Sequence, residues 1–196
     1  MKSALSPPAG EDLSSSGKLV ILDRDGVLNE DSESYIKSPD EWIPITTSIE
    51  AVGLLTRAGY RVAVATNQSG IYRGLFSLRT LDLMHEKMRN LVGQQGGRID
   101  YLLFCPHGPG QQCGCRKPKP GMLFAISRRF NIAPAGIVMV GDSFTDYQAA
   151  AKAGMQFVLV KTGKGRRTLQ EGGLPSWVPV CENLLDFVTT NLGIRR

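Results

Sequence analysis

Residues 18–26 read Lys-Leu-Val-Ile-Leu-Asp-Arg-Asp-Gly: a short apolar run that stops on a carboxylate. Such a run, bounded by turn residues, reads as a buried strand, Lys18–Leu22. Outward from it the same grammar repeats. Strands are predicted at Arg61–Ala65 (RVAVA), Tyr101–Phe104, Ile137–Val140 (IVMV) and Phe157–Val160. Between them lie helical patterns. Ser48–Arg57 carries Ile49, Val52, Leu54 and Leu55 at helical spacing, with Gly59 as its stop. Ser77–Val92 is predicted to be capped by Ser77, Pro120–Phe130 has a proline in its first turn, and Phe144–Ala153 is ended by Gly154. Glu182–Asn191 is expected to close the chain. Continuously apolar strands alternating with helices predict an α/β fold, a three-layer, doubly wound parallel sheet covered on both faces.

In such a sheet ligands bind beyond the carboxyl ends of the strands. The polar residues there are Asp23, Thr66, the loop after Phe104 and Asp142. Asp23 and Asp25 are two apart, so on an extended chain both carboxylates face one site. One carboxylate can attack phosphorus, and the other can protonate the leaving oxygen and then activate water. Two anions facing a phosphate require a divalent cation, and hard oxygen ligands select magnesium. Read singly, Asp-x-Asp-Gly is equally a turn after a strand. Thr66–Asn67 equally suits a cap, Lys117 a solvated lysine, and Asp142 a helix cap. Four such features at successive strand ends are harder to explain as turns.

DRDG (23–26), Thr66–Asn67, the lysine of RKPKP (116–120) and GDSFTD (141–146) resemble the four motifs of the haloacid-dehalogenase-like (HAD) phosphohydrolases, over roughly Lys18 to Gly165. The resemblance implies Asp23 as nucleophile and Asp25 as general acid/base. It implies Thr66 and Lys117 as phosphoryl-stabilising residues. Asp23, Asp142 and the main-chain carbonyl of Asp25 would be the magnesium ligands, with Asp146 a supporting carboxylate. An acid at position 25 is the mark of the phosphatases over the dehalogenases. Neither inter-motif span has room for an inserted cap domain, so a capless, single HAD-like Rossmannoid domain over 18–196 is expected.

Three of four cysteines lie within 105–115, in Cys105-Pro-His107 and Cys113-Gly-Cys115. Cys105, His107, Cys113 and Cys115 form a Cys₃His set, a structural zinc complement with no position left for a catalytic water. The alternative is free thiols beside a surface histidine. His85 and Cys181 lie far away and read as an ordinary helix residue and a small apolar one. The loop ends at Arg116–Lys117, so zinc would anchor two cations at the site mouth.

The longer strings LDRDGVLN, ATNQSGIYRG and CPHGPGQQCGCRKPKPGM are similar to HAD enzymes acting on heptose 1,7-bisphosphate. This implies release of the 7-phosphate during nucleotide-heptose synthesis for lipopolysaccharide or surface glycans. Thr66, Asn67, Gln68, Ser69, Arg116 and Lys117 would then contact substrate, and Asp31–Tyr35 would form part of a flap over the sugar. Ser143 stands where some relatives carry a basic residue. Histidinol-phosphate phosphatases are the nearest alternative, and a non-catalytic zinc-binding interaction module a distant one. The module would not need both Asp23 and Asp25.

Bulk properties agree. The chain of 196 residues, 42% hydrophobic, suits one domain with a real core. Its net charge of +5 suits a small anionic substrate, a phosphorylated sugar. The arginine pairs are scattered and make no nucleic-acid footprint. No apolar run is long enough to span a membrane. Residues 1–17, rich in Ser, Pro and Gly, read as a disordered tail without a signal-peptide core, so a cytoplasmic protein is expected; the family resemblance implies a monomer.

Overall fold

A computed structural model describes residues 17–195; apart from Gly17, the expected N-terminal tail lies outside the described residues. Six strands form one parallel sheet: β1 (Leu19–Leu22), β2 (Arg61–Asn67), β3 (Tyr101–Cys105), β4 (Ile137–Gly141), β5 (Gln156–Val160) and β6 (Val180–Cys181). Their order is β3-β2-β1-β4-β5-β6. The helices are α1 (Thr46–Arg57), α2 (Leu78–Gln94), α3 (Gly121–Phe130), α4 (Phe144–Ala153), α5 (Gly165–Glu171) and α6 (Leu184–Asp186), which widens into a turn over Phe187–Asn191.

Strand pleating explains the three layers. Val20 and Leu22 of β1 point to one face, where they meet Val52 and Leu55 of α1, Met84 and Met88 of α2, and Leu184 of α6. Leu19 and Ile21 point to the other, against Leu123 and Ile126 of α3 and Ala149 and Ala150 of α4. Both faces of β1 are covered, so its sequence is apolar at every position. The order places β1 beside both β2 and β4. The chain winds outward in one direction from β1 to β3 and in the other from β4 to β6. The crevice at the carboxyl ends of β1 and β4 is therefore the topological switch point, where doubly wound sheets bind ligands.

The predicted helix α4 and its Gly154 stop are found as read; Gly154 adopts the left-handed conformation that ends a helix. Ser77 caps α2 by accepting from Thr80 N. Strand β2 runs two residues past its predicted end, because Thr66 and Asn67 still pair with Phe104 and Cys105 of β3. The closing helix starts later than predicted, at Leu184, since Asn183 caps it by accepting from Asp186 N. Helix α5 and strand β6 were not anticipated: GRRTLQE carries one apolar residue, and a two-residue edge strand has no readable period. Among the described residues no domain is inserted between β1 and β4, and no helix is long and apolar enough to cross a membrane.

Candidate active site and metal centres

The chain turns sharply after β1. Asp23 N still donates to Val140 O at 3.0 Å, and then Arg24 O accepts from the amides of Val27, Leu28 and Asn29. Gly26 takes a positive φ of 80° inside this turn. A Cβ there would sit 2.0 Å from Asp142 Oδ2, and one on Gly163 2.2 Å from the same atom. Only glycine lets the two loops close around Asp142. Thr162 Oγ1 donates to Gly26 O at 2.6 Å and Lys164 N donates to Asp142 Oδ2 at 2.8 Å, fixing that closure.

Asp23, Asp142 and Asp146 offer carboxylate oxygens within 4.8 Å of one another, all buried. Lys117 is their buried cation: its Nζ lies 2.8 Å from Asp23 Oδ1 and 2.6 Å from Asp146 Oδ1. Asp146 is also held by Ser143, whose N and Oγ both donate to its Oδ2, in a capping box that starts α4. Burial, opposed by Lys117, pushes the pKa of Asp23 up to about 7. Burial and the charges of Asp146 and Asp23 push Asp142 well above the carboxylate range. Burial works against the charge on Lys117, but Asp146 and Asp23 outweigh it and raise its pKa. Three carboxylates facing one ammonium form an anionic site of hard oxygen donors, a donor set that fits magnesium.

Asp25 enters a different environment. Its Oδ1 accepts from Arg24 Nε (3.0 Å), Arg24 Nη2 (2.7 Å) and Asn29 Nδ2 (3.0 Å), and its Oδ2 from Gln68 Nε2 (2.8 Å) and Arg24 Nη2 (3.0 Å). Burial alone would raise its pKa, but Arg24 and the hydrogen bonds from Asn29, Arg24 and Gln68 hold it below the usual range. Gln68 Nε2 also donates to Thr66 Oγ1 at 2.9 Å, which ties the end of β2 to the same cluster.

A cavity of about 620 Å³ opens over these strand ends, large enough for a small phosphorylated ligand. Every residue expected to contact substrate lines it: Asp31, Tyr35, Thr66, Asn67, Gln68, Ser69, Arg116 and Lys117. Their settings differ. The Asn67 side chain brackets the main chain of Lys117, donating to its O at 3.0 Å and accepting from its N at 3.1 Å. Asn67 thus positions the lysine. Asp31 pairs with Lys164 Nζ at 3.0 Å, linking the loop after Asn29 to the loop before α5. Tyr35 adopts a positive φ of 65° and has the Arg73 guanidinium 5.7 Å from its ring centre. Sequence reasoning missed Arg24 and Lys164. Arg24 lay unread between the two motif acids, and Lys164 lies beyond all four motifs.

Cys105, His107, Cys113 and Cys115 converge as expected. Cys105 Sγ is 3.7 Å from Cys113 Sγ and 3.2 Å from Cys115 Sγ; His107 Nδ1 is 3.5 Å from Cys105 Sγ and 3.4 Å from Cys115 Sγ. A tetrahedral zinc with bonds of about 2.3 Å to sulfur and about 2.0 Å to nitrogen has ligand–ligand edges of about 3.5–3.8 Å. Donor type and count fit zinc, and so do three of these four spacings; the Cys105–Cys115 pair is closer than a zinc-bound S–S edge. Arg116 Nη1 donates to His107 O at 3.2 Å, so the loop carries Arg116 as well as Lys117. Cys181 is buried, its Sγ 3.2 Å from Asn191 Oδ1, as an ordinary small residue would be. His85 departs from its reading as an ordinary helix residue: it is buried beside Arg24, with Nε2 3.5 Å from Nη1.

A parallel sheet with an acid pair at its first strand end, an ammonium and a third carboxylate at the switch point defines a HAD-like phosphohydrolase. Residues 114–187 match the family model described as HAD-hydrolase-like. The chain is 53% identical over 167 residues to the D-glycero-beta-D-manno-heptose-1,7-bisphosphate 7-phosphatase of Bordetella bronchiseptica, covering 85% of this chain and 93% of that one. It is 56% identical over 155 residues to the enzyme of the same name from Pseudomonas putida, covering 79% and 89%. Among solved structures, D,D-heptose 1,7-bisphosphate phosphatase from B. bronchiseptica, complexed with magnesium and phosphate, superposes with a TM-score of 0.88 at 51% identity, over 90% of this chain and 98% of that one. The chain belongs to this family, the D-glycero-beta-D-manno-heptose-1,7-bisphosphate 7-phosphatases of the HAD-like hydrolases.

Proposed function

We infer that the chain is a magnesium-dependent phosphoric monoester hydrolase that removes the 7-phosphate of D-glycero-D-manno-heptose 1,7-bisphosphate in nucleotide-heptose synthesis for lipopolysaccharide or surface glycans. The observation that carries the reading is the position of Asp23, at the end of β1, 2.8 Å from Lys117 and among two further carboxylates. Names of the relatives favour the heptose over histidinol phosphate. Those names also specify the beta anomer.

The residues divide the work as follows. An oxygen of Asp23 attacks phosphorus while the P–O bond to C7 breaks, and the Asp25 carboxyl gives its proton to the departing alkoxide. Asp25 then takes a proton from water, which attacks the aspartyl-phosphate and frees Asp23 and inorganic phosphate. Thr66 and Lys117 stabilise charge on the phosphoryl oxygens. Asp23, Asp142 and the carbonyl of Asp25 would hold magnesium, which supplies charge neutralisation between nucleophile and phosphate when bound. Arg116 and the loop carrying Asp31 and Tyr35 face the rest of the sugar. Zinc on Cys105, His107, Cys113 and Cys115 is structural. We further take 18–196 as one domain, acting as a cytoplasmic monomer on this small substrate without nucleic-acid or membrane partners.

The test is Asp23→Asn. It should abolish turnover of the heptose bisphosphate with magnesium while circular dichroism stays unchanged. Steady-state phosphate release by this variant would sink the covalent route. Higher kcat/KM on histidinol phosphate in the parent enzyme would sink the substrate assignment alone.

A further inference from the structure

Arg24 stands between the two acids, where an arginine in a phosphatase site would ordinarily be expected to meet phosphate. Its surroundings forbid that. It is 1% exposed, and each nitrogen of its fork already has a partner within the protein. Nε and Nη2 hold both oxygens of Asp25, Nη2 also reaches Gln68 Oε1 at 3.2 Å, and Nη1 faces His85 Nε2. His85, on α2, is buried behind the fork. A neutral imidazole can accept from Nη1 there only as the tautomer protonated on Nδ1. The same Gln68 that accepts from Arg24 donates to Asp25 and to Thr66. Guanidinium, amide and imidazole thus form a clamp whose charged end is spent on the Asp25 carboxylate, with Gln68 also reaching Thr66.

We infer that Arg24, backed by His85 and cross-braced by Gln68, is a positioning residue that acts on the reaction by aiming the Asp25 carboxyl rather than by touching phosphate. The inference rests on Asp25 being the acid/base of the proposed reaction. A bidentate fork fixes both the place and the plane of a carboxylate, which a single-point lysine cannot do. Proton transfer in the first half-reaction needs that plane: as the Asp23–P bond forms and the ester P–O bond breaks, the alkoxide must receive the Asp25 proton. An aryl phosphate relaxes the demand, because nitrophenolate departs without a proton.

The test is leaving-group dependence in single turnovers with magnesium. Arg24→Met should slow phosphoryl transfer from heptose 1,7-bisphosphate on the order of 10²-fold, while the nitrophenolate burst from p-nitrophenyl phosphate stays within about threefold of the parent. Equal losses on both substrates, or none on either, would overturn the clamp. Asp25→Asn is the reference. If it fails to discriminate between the substrates, the acid/base reading falls and takes the clamp with it. If it discriminates and Arg24→Met does not, the clamp alone falls. Arg24→Lys keeps the buried charge and loses the fork, and should show the same discrimination, smaller. Should neither Arg24 variant fold, His85→Leu decides: a several-fold loss on the sugar ester alone supports the clamp, and no loss or an equal loss on both substrates removes it.

Discussion

Asp23 and Asp25 leave one strand two residues apart and enter regions of opposite balance. Around Asp23 three buried carboxylates share one ammonium. Around Asp25 a guanidinium and two amides saturate a single carboxylate. Their pKa values move apart accordingly, Asp23 up to about 7 through burial and Asp25 down against it. In the metal-free protein these shifts run against the proposed roles, with the nucleophile raised and the acid lowered; a bound cation would lower Asp23, and the negative charge of an arriving phosphoryl group would raise Asp25. The difference also says which half is finished. The Asp25 side is complete within the protein, whereas the Asp23 side is short of positive charge until a cation arrives.

The largest expected effect comes from deepening that shortage. Lys117→Met leaves Asp23 and Asp146 without their buried counter-charge. Activity should fall by about 10³-fold, and urea unfolding without magnesium should show a loss of roughly 3–5 kcal/mol. A variant as stable as its parent would mean that the anionic cluster is not electrostatically starved. Next in size is the cysteine loop, which delivers Lys117 to that cluster through the Asn67 bracket. Cys115→Ser should release zinc and lower activity on the order of 10²-fold while the sheet persists, read by metal analysis and circular dichroism. Retention of full activity without zinc would detach the loop from the site.

Much of this was legible in the sequence because the responsible features are short-range. Buried strands announce themselves by unbroken apolar runs, and in a doubly wound sheet the residue after each run is already at the ligand-binding edge. Asp23, Thr66 and Asp142 needed no more than that. The convergence of Cys105, His107, Cys113 and Cys115 was legible by residue type. The clamp on Asp25 was not. It depends on His85 of α2 lying against a β1 turn sixty-one residues earlier, a juxtaposition only helix packing creates. Lys164 was hidden for the same reason, since its amide serves Asp142 from another loop. Asn67 stood in the right place, but its amide faces the lysine backbone, an orientation no residue type reveals.

Magnesium sharpens the contrast in solution. Without metal, the raised pKa of Asp23 contributes stability that is present below about pH 4 and lost as pH rises through about 7. Magnesium binds the ionised form, so its effect runs the other way. The melting temperature gained on adding magnesium should be larger at pH 8 than at pH 6. A tenfold difference in affinity, about 1.4 kcal/mol, corresponds to roughly 3–6 °C for a domain of this size. An equal gain at both pH values would place the proton somewhere other than the metal cluster.

The Asp25 side has its own titration, with the opposite sign. Burial, then the charges of Arg24 and Arg89, hold the His85 pKa at about 3. The unfolded chain takes up this proton near pH 6.5 and the folded protein does not, so His85 costs stability as pH falls below about 6.5. Asp23 favours the metal-free fold over the same interval, and the two regions partly cancel. His85→Gln keeps an acceptor for Arg24 and removes the titration. The metal-free variant should therefore lose less stability on acidification, by about 0.8 kcal/mol at pH 6 relative to pH 8 for a full shift. Urea midpoints at the two pH values measure it. A variant with the parent's pH slope would show that the imidazole titrates in the folded protein, and with it that Arg24 is less firmly enclosed than its contacts require.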